Sequence, residues 1–96
     1  MLRVSSAADE DIRAAALWYE QQQPDLGTEF VNEIDSTFSK IAAGPLRYPI
    51  KYRDFRRALV QRFSYAVYFD CDSSNDVLVI AVLHQRRDSA ILDERV

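Results

Sequence analysis

Apolar positions recur along this chain first at a helical spacing and then at a strand spacing. Ala8, Ile12, Ala15 or Ala16, and Tyr19 fall three and four residues apart, which puts their side chains on one face of a helix. Ser5 and Ser6, followed by Asp9 and Glu10, offer a cap and first-turn acids, where unpaired amides and the positive end of the helix dipole favour them. The pattern predicts a helix from near Ala7 to Gln22 or Gln23, ending before Pro24. Leu26, Phe30, Ile34, Phe38 and Ile41 mark the buried face of a second helix, with Pro24 and Asp25 in its first positions and Gly44-Pro45 as its stop. So short a connection around Pro24 makes the two helices an antiparallel hairpin.

Beyond it the period changes. Residues 46–55 carry Pro49 and many charges and read as a surface loop. Residues 56–63, 65–70 and 77–85 are rich in valine, tyrosine, phenylalanine and leucine and predict three strands. Asp72, Ser73, Ser74 and Asn75 suit the hairpin loop before the last of them. The uninterrupted apolar run of residues 77–83 fits a central strand buried on both faces. One face of this meander packs on the helical hairpin; the other needs a cover, whether the tail of residues 88–96, a second copy, or another protein. Leu2, Arg3 and Val4 form a short first strand. The expected architecture is α+β in one domain over residues 1–96: an N-terminal strand, an antiparallel helical hairpin, a three-stranded antiparallel meander, and a short C-terminal tail or helix.

Composition narrows the class. Ninety-six residues, 48% hydrophobic and 28% charged, suit one folded core and not two. Cys71 is the sole cysteine, which excludes an internal disulfide and a multi-thiolate zinc site and fits a reducing cytoplasm. Asp9, Glu10 and Asp11 interrupt any signal-peptide core, and residues 77–83 fall far short of the roughly 20 apolar residues that span a bilayer. Asp70-x-Asp72-x-Ser74 resembles a calcium loop, but Asn75 stands where the turn glycine belongs and Ala81 where the closing glutamate belongs. Neither a metal nor a cofactor is expected.

The net charge of −3 argues against a general nucleic-acid binder, yet it conceals an asymmetry. Residues 1–45 hold three basic and eight acidic residues, whereas residues 46–69 hold six basic residues against Asp54 alone. A basic belt of this kind is where a partner would meet the chain. Arg53, Arg56, Arg57 and Arg62 of this belt, with His84, Arg86 and Arg87 beyond it, are the candidate target- or partner-binding residues. Each has a plainer reading. Arginines alternating along a strand often serve solubility, and a lone histidine at a strand end is more often structural than catalytic. Of Trp18 and Tyr19, helical spacing assigns at least one to the core.

The order of elements, together with several local patterns, resembles the RelE/ParE toxin superfamily across nearly the whole chain. The patterns are Ala8-x-x-Asp11-Ile12 with Trp18-Tyr19-Glu20, Pro24-Asp25-Leu26-Gly27-x-x-Phe30, Gly44-Pro45 with Tyr48-Pro49, Arg56-Arg57-Ala58-Leu59-Val60-x-Arg62-Phe63-x-Tyr65-x-Val67-Tyr68, and Val79 through His84-Gln85-Arg86-Arg87-Asp88. The resemblance implies the toxin of a type II toxin–antitoxin pair, a growth inhibitor that is neutralised by a cognate antitoxin and meets DNA only through it. Two targets divide the superfamily: ParE-like members block DNA gyrase, and RelE-like members cut messenger RNA on the ribosome. RNA cleavage needs a group to activate the ribose hydroxyl, cations for the phosphate and an acid for the leaving oxygen; Arg62, His84 and Arg86 are the residues that would serve. The ribonuclease branch usually carries arginine where this chain has Tyr65, and its C-terminal tyrosine is missing after His84. The resemblance thus leans to the ParE branch, with the ribonuclease and an inactive domain of the same fold as alternatives.

Overall fold

The computed structural model describes residues 1–87 and 90–95. Strand β1 (Leu2–Val4) leads into helices α1 (Ser6–Gln22) and α2 (Leu26–Ala43); a 3-10 turn (Pro45–Arg47) precedes β2 (Ile50–Tyr52), β3 (Phe55–Leu59), β4 (Tyr65–Cys71) and β5 (Val77–His84), and a short α3 (Ala90–Asp93) follows. Ser5 caps α1, its hydroxyl accepting from the Ala8 amide at 3.1 Å. The second helix starts later than its sequence implies. Pro24 lies in the turn and Asp25 is the cap residue, held at φ 72° with no side-chain capping bond. Glu20, at the end of α1, does that work instead, accepting from the amides of Asp25 (2.9 Å) and Gly27 (3.0 Å). The helices press together at Gly27: a Cβ there would lie 2.5 Å from the Ala16 carbonyl oxygen, too close for any side chain.

The sheet has five strands in the order β1-β5-β4-β3-β2. The antiparallel meander β3-β4-β5 is present with β4, not β5, at its centre; β5 is interior to the sheet because β1 pairs parallel to its first half, Leu2 beside Val77 and Val4 beside Val79. Two expectations are corrected. Residues 46–55 are not all loop, because Ile50–Tyr52 forms an edge strand against β3, and Phe55 already belongs to β3. The strand expected over residues 56–63 ends at Leu59, where Arg62, at φ 70°, turns the chain back.

Two hydrophobic layers sandwich the sheet. On the helical side Phe30, Ile34 and Ile41 of α2 and Ala8 and Ala15 of α1 pack on Val67, Phe69, Val77, Val79 and Val82. On the other, Leu92 of α3 is 1% exposed against Phe55, Ile80, Ala81 and Leu83. Of the three covers considered for that face, the chain's own tail is present there. The run Val77–Leu83 is accordingly buried save for Leu78, so it does not supply the spare apolar surface that a partner groove on it would require. Residues 88, 89 and 96 of the tail lie outside the described residues. No helix among the described residues is long and apolar enough to cross a membrane.

Candidate functional site

Helix α1 runs alongside β5, and β1 is too short to cover the strand's full edge. Where β1 ends, Ser5 donates its amide to the Val79 carbonyl (2.9 Å). Next along the edge, side chains take over. Asp11 accepts from the Val82 amide (3.0 Å), and Arg95 donates to the Ile80 carbonyl (3.2 Å) while pairing with both Asp11 carboxylate oxygens, the Oδ1 contact at 2.9 Å. An ion pair thus stands in for a missing stretch of edge strand, satisfying backbone groups that burial would otherwise leave unpaired.

Beyond this plug a cleft of about 420 Å³ opens between α1 and the end of β5, lined by Glu10, Asp11, Trp18, Tyr65, His84 and Arg87 among others. Trp18 is 55% exposed, whereas Tyr19 packs beneath it into the core, so the pair divides as helical spacing requires. His84 stands edge-on to Tyr65, ring centroids 5.5 Å apart. Its Nδ1 accepts from the Arg86 amide at 3.1 Å, which leaves Nε2 as the donor of the neutral ring. Burial raises the Tyr65 phenol above its ordinary value; the Asp11 charge adds to this and Arg87 offsets part of it. Tyr19 is raised too, by burial and then by Tyr65. Both phenols are therefore held neutral when folded at pH values where an unfolded chain would ionise. Stability contributed this way is complete below about pH 10 and declines as pH rises above it, because there the folded state retains more protons than the unfolded. Urea denaturation at pH 9 and pH 11 should show the fall, and Tyr65→Phe should reduce it; an unchanged fall in that variant would remove Tyr65 from the account.

The seven candidates are not gathered in one place. Arg53, at φ 50°, pairs with Asp93 of α3 at 2.9 Å, where Tyr52 also donates its hydroxyl, so this arginine fastens the tail. Arg56 and Arg57 point to opposite faces of β3, as neighbours in a strand must; Arg56 donates to the Tyr48 carbonyl at 2.6 Å. Arg62 is held by Glu29 (2.6 Å) and Glu33 (3.8 Å) of α2. Only His84 and Arg87 reach the cleft, with Arg86 exposed beside them. Among the described residues Arg57, Arg86 and Arg87 take part in no ion pair. The sequence pattern places Glu10 as a first-turn acid and not as a lining residue of the cleft, and it does not disclose the Asp11–Arg95 pair. Asp11 stood within a motif, but nothing in it announced a bond to a residue at the far end of the chain. No group of three or more metal-ligating side chains is gathered among the described residues. Cys71 closes β4, one residue beyond the strand expected over residues 65–70, and is half-buried.

Residues 2–89 match the family model of the ParE toxin of the type II toxin–antitoxin system parDE. The chain belongs to the ParE toxin family. The fold agrees: a solved structure described as the chromosomal ParDE toxin–antitoxin system from P. aeruginosa superposes with a TM-score of 0.76 at 14% identity, covering 86% of this chain and 92% of that one. No curated protein sequence matches. Of the seven candidate residues, His84 and Arg87 line the cleft between α1 and β5, with Trp18 on its wall.

Proposed function

We propose that this ParE-family toxin arrests growth by binding DNA gyrase without catalysing a reaction, and that a cognate antitoxin encoded with it neutralises that activity. One observation carries the non-catalytic reading: the three residues that ribonuclease chemistry would need do not converge. His84 faces the α1–β5 cleft, whereas Arg62 is held by two glutamates of α2. General acid–base work on a phosphodiester requires both groups within reach of the same atoms. The net charge of −3 also suits a protein target better than the ribosome. In this reading Trp18 is the exposed aromatic anchor and Arg86 and Arg87 the flanking cations, a combination typical of interface hot spots. Cleavage of messenger RNA on the ribosome is the second reading, favoured by the meeting of Tyr65, His84 and Arg87 in one cleft.

The test is induced expression in a bacterial host, with growth, transcript integrity and plasmid supercoiling followed in the same cultures. Growth arrest with intact transcripts and lost supercoiling is expected, and co-expression of a small antitoxin from a neighbouring reading frame should restore growth. With purified components, Trp18→Ala and Arg87→Glu should each raise the half-inhibitory concentration against gyrase roughly tenfold. Cleaved transcripts with normal supercoiling would replace this reading with the ribonuclease.

A further inference from the structure

The α1–β5 cleft holds an acid, a cation and an exposed ring that the fold itself leaves unused. Glu10, Ala14 and Trp18 follow one another at four-residue intervals on α1 and line it together, so they form one stripe of the helix. Glu10 and Trp18 are about 12 Å apart along the helix axis, and a tryptophan side chain leans back toward the helix N-terminus, which narrows that gap. The small Ala14 between them leaves the floor flat. Ser5 and Asp11 bond to Val79 and Val82 in turn, so α1 advances along β5 in the strand's own direction. The acidic end of the stripe therefore lies near Val82, and the Trp18 end lies beside His84 and Arg87. Asp11 is fully engaged by Arg95 and the Val82 amide. Among the described residues Glu10 and Arg87, by contrast, take part in no ion pair.

We propose that this cleft binds a free guanine mononucleotide, without cleaving it. Its volume of about 420 Å³ falls in the range of small-molecule sites. The base stacks on the half-exposed Trp18 indole, as bases do on aromatic platforms, and Ala14 leaves room for its edge to reach Glu10. Guanine is selected there because its ring N–H and its amino group are neighbouring donors, a match for the two oxygens of a carboxylate that only accepts. Adenine sets an acceptor beside its amino group, and that acceptor would face a carboxylate oxygen. At the other end the phosphate meets the Arg87 guanidinium and the Nε2–H of His84, whose Nδ1 is already occupied by the Arg86 amide. A single unpaired cation in the cleft suits one phosphate, and the net charge of −3 opposes a longer polyanion. The bound nucleotide covers Trp18 and Arg87, so it competes with any protein that uses them. The inference rests on the cleft alone: it stands whether or not gyrase is the target, and its failure leaves the gyrase reading intact.

Trp18 is the chain's only tryptophan, so its fluorescence reports on the cleft directly. The experiment titrates the full-length protein with guanosine monophosphate and follows that emission together with the indole N–H resonance. Quenching should saturate below about 1 mM. Adenosine monophosphate should bind roughly tenfold more weakly, and so should guanosine, which lacks the phosphate. Two variants at exposed positions, both expected to retain the native circular dichroism, separate the contacts. Glu10→Gln should reverse the preference toward adenine, because an amide offers one acceptor and one donor, an exchange that a merely structural role would not produce. Arg87→Ala should lower the affinity for guanosine monophosphate to that for guanosine. The proposal is overturned if neither signal changes at about 1 mM nucleotide, or if guanine and adenine keep the same rank in Glu10→Gln. It is overturned equally if Arg87→Ala leaves the phosphate's contribution in place, or if a single-stranded oligonucleotide binds more tightly than the mononucleotide, which would assign the cleft to a nucleic-acid strand.

Discussion

Asp11→Ala should lower the unfolding free energy by about 3 kcal/mol, and Arg95→Ala by a similar amount. The two groups sit together at 14% and 19% side-chain exposure, so either one left alone is a charge largely withdrawn from water. Some solvent access places the expected loss toward the lower end of the range for broken buried pairs. The alanine at position 11 also strands the Val82 amide, to which Asp11 is bonded at 3.0 Å, and an unsatisfied buried donor is itself destabilising. Arg95 serves a second purpose, since it follows α3 and anchors the tail whose Leu92 covers Ile80 and Leu83. Its loss should therefore expose that face as well as weaken the fold. Urea titration of the two single variants and the double variant forms a cycle in which the double loses clearly less than the two singles added together. Limited proteolysis should cut the tail of Arg95→Ala before the rest of the chain. Additive losses in the cycle would show that the pair is not coupled, and an equally resistant tail would show that Arg95 does not hold it.

What the sequence discloses and what it conceals follows from the range of the interactions concerned. The helices were legible because their signals are local: the face from Leu26 to Ile41 repeats every three or four residues, and Gly44-Pro45 marks its stop. Strand β5 was legible because seven consecutive apolar residues fit no other element of this fold. Ile50–Tyr52 was not, because three residues after a proline carry too little pattern, and their strand character comes from β3 beside them. Arginines summed as a belt give a charge but no direction. In the structure Arg53 is turned to Asp93, Arg62 to Glu29 and Arg56 to a carbonyl, and each partner belongs to a segment distant in sequence or to a backbone atom. The Asp11–Arg95 pair joins residues 84 positions apart, and no periodicity encodes a bond of that span. The family pattern did retain its elements in order, since it summarises the packing of whole elements and not the aim of single side chains.

Phe30→Ala should cost about 4 kcal/mol, a large share of the roughly 5–15 kcal/mol that holds a domain of this kind together. The ring is fully buried and forms the hub of an aromatic cluster, with centroids 5.2 Å from Tyr19, 5.2 Å from Phe63 and 5.1 Å from Tyr65. Removing it forfeits the apolar burial and three ring contacts, and it leaves a void in the core. The corresponding fall in melting temperature is about 20 °C for a domain of this size. Phe30→Leu, which keeps most of the volume, should lose considerably less. The damage should also reach the cleft, since Tyr65 rests on Phe30 and in turn meets His84. In Phe30→Leu, which still folds, the His84 and Tyr65 ring resonances should broaden or shift while those of the tail's Leu92 methyls stay in place. A loss below about 1.5 kcal/mol in Phe30→Ala would mean that the cluster repacks around the gap. Unmoved His84 resonances in Phe30→Leu would separate the cleft from the core, and the positioning of His84 would then rest on β5 and the Arg86 amide alone.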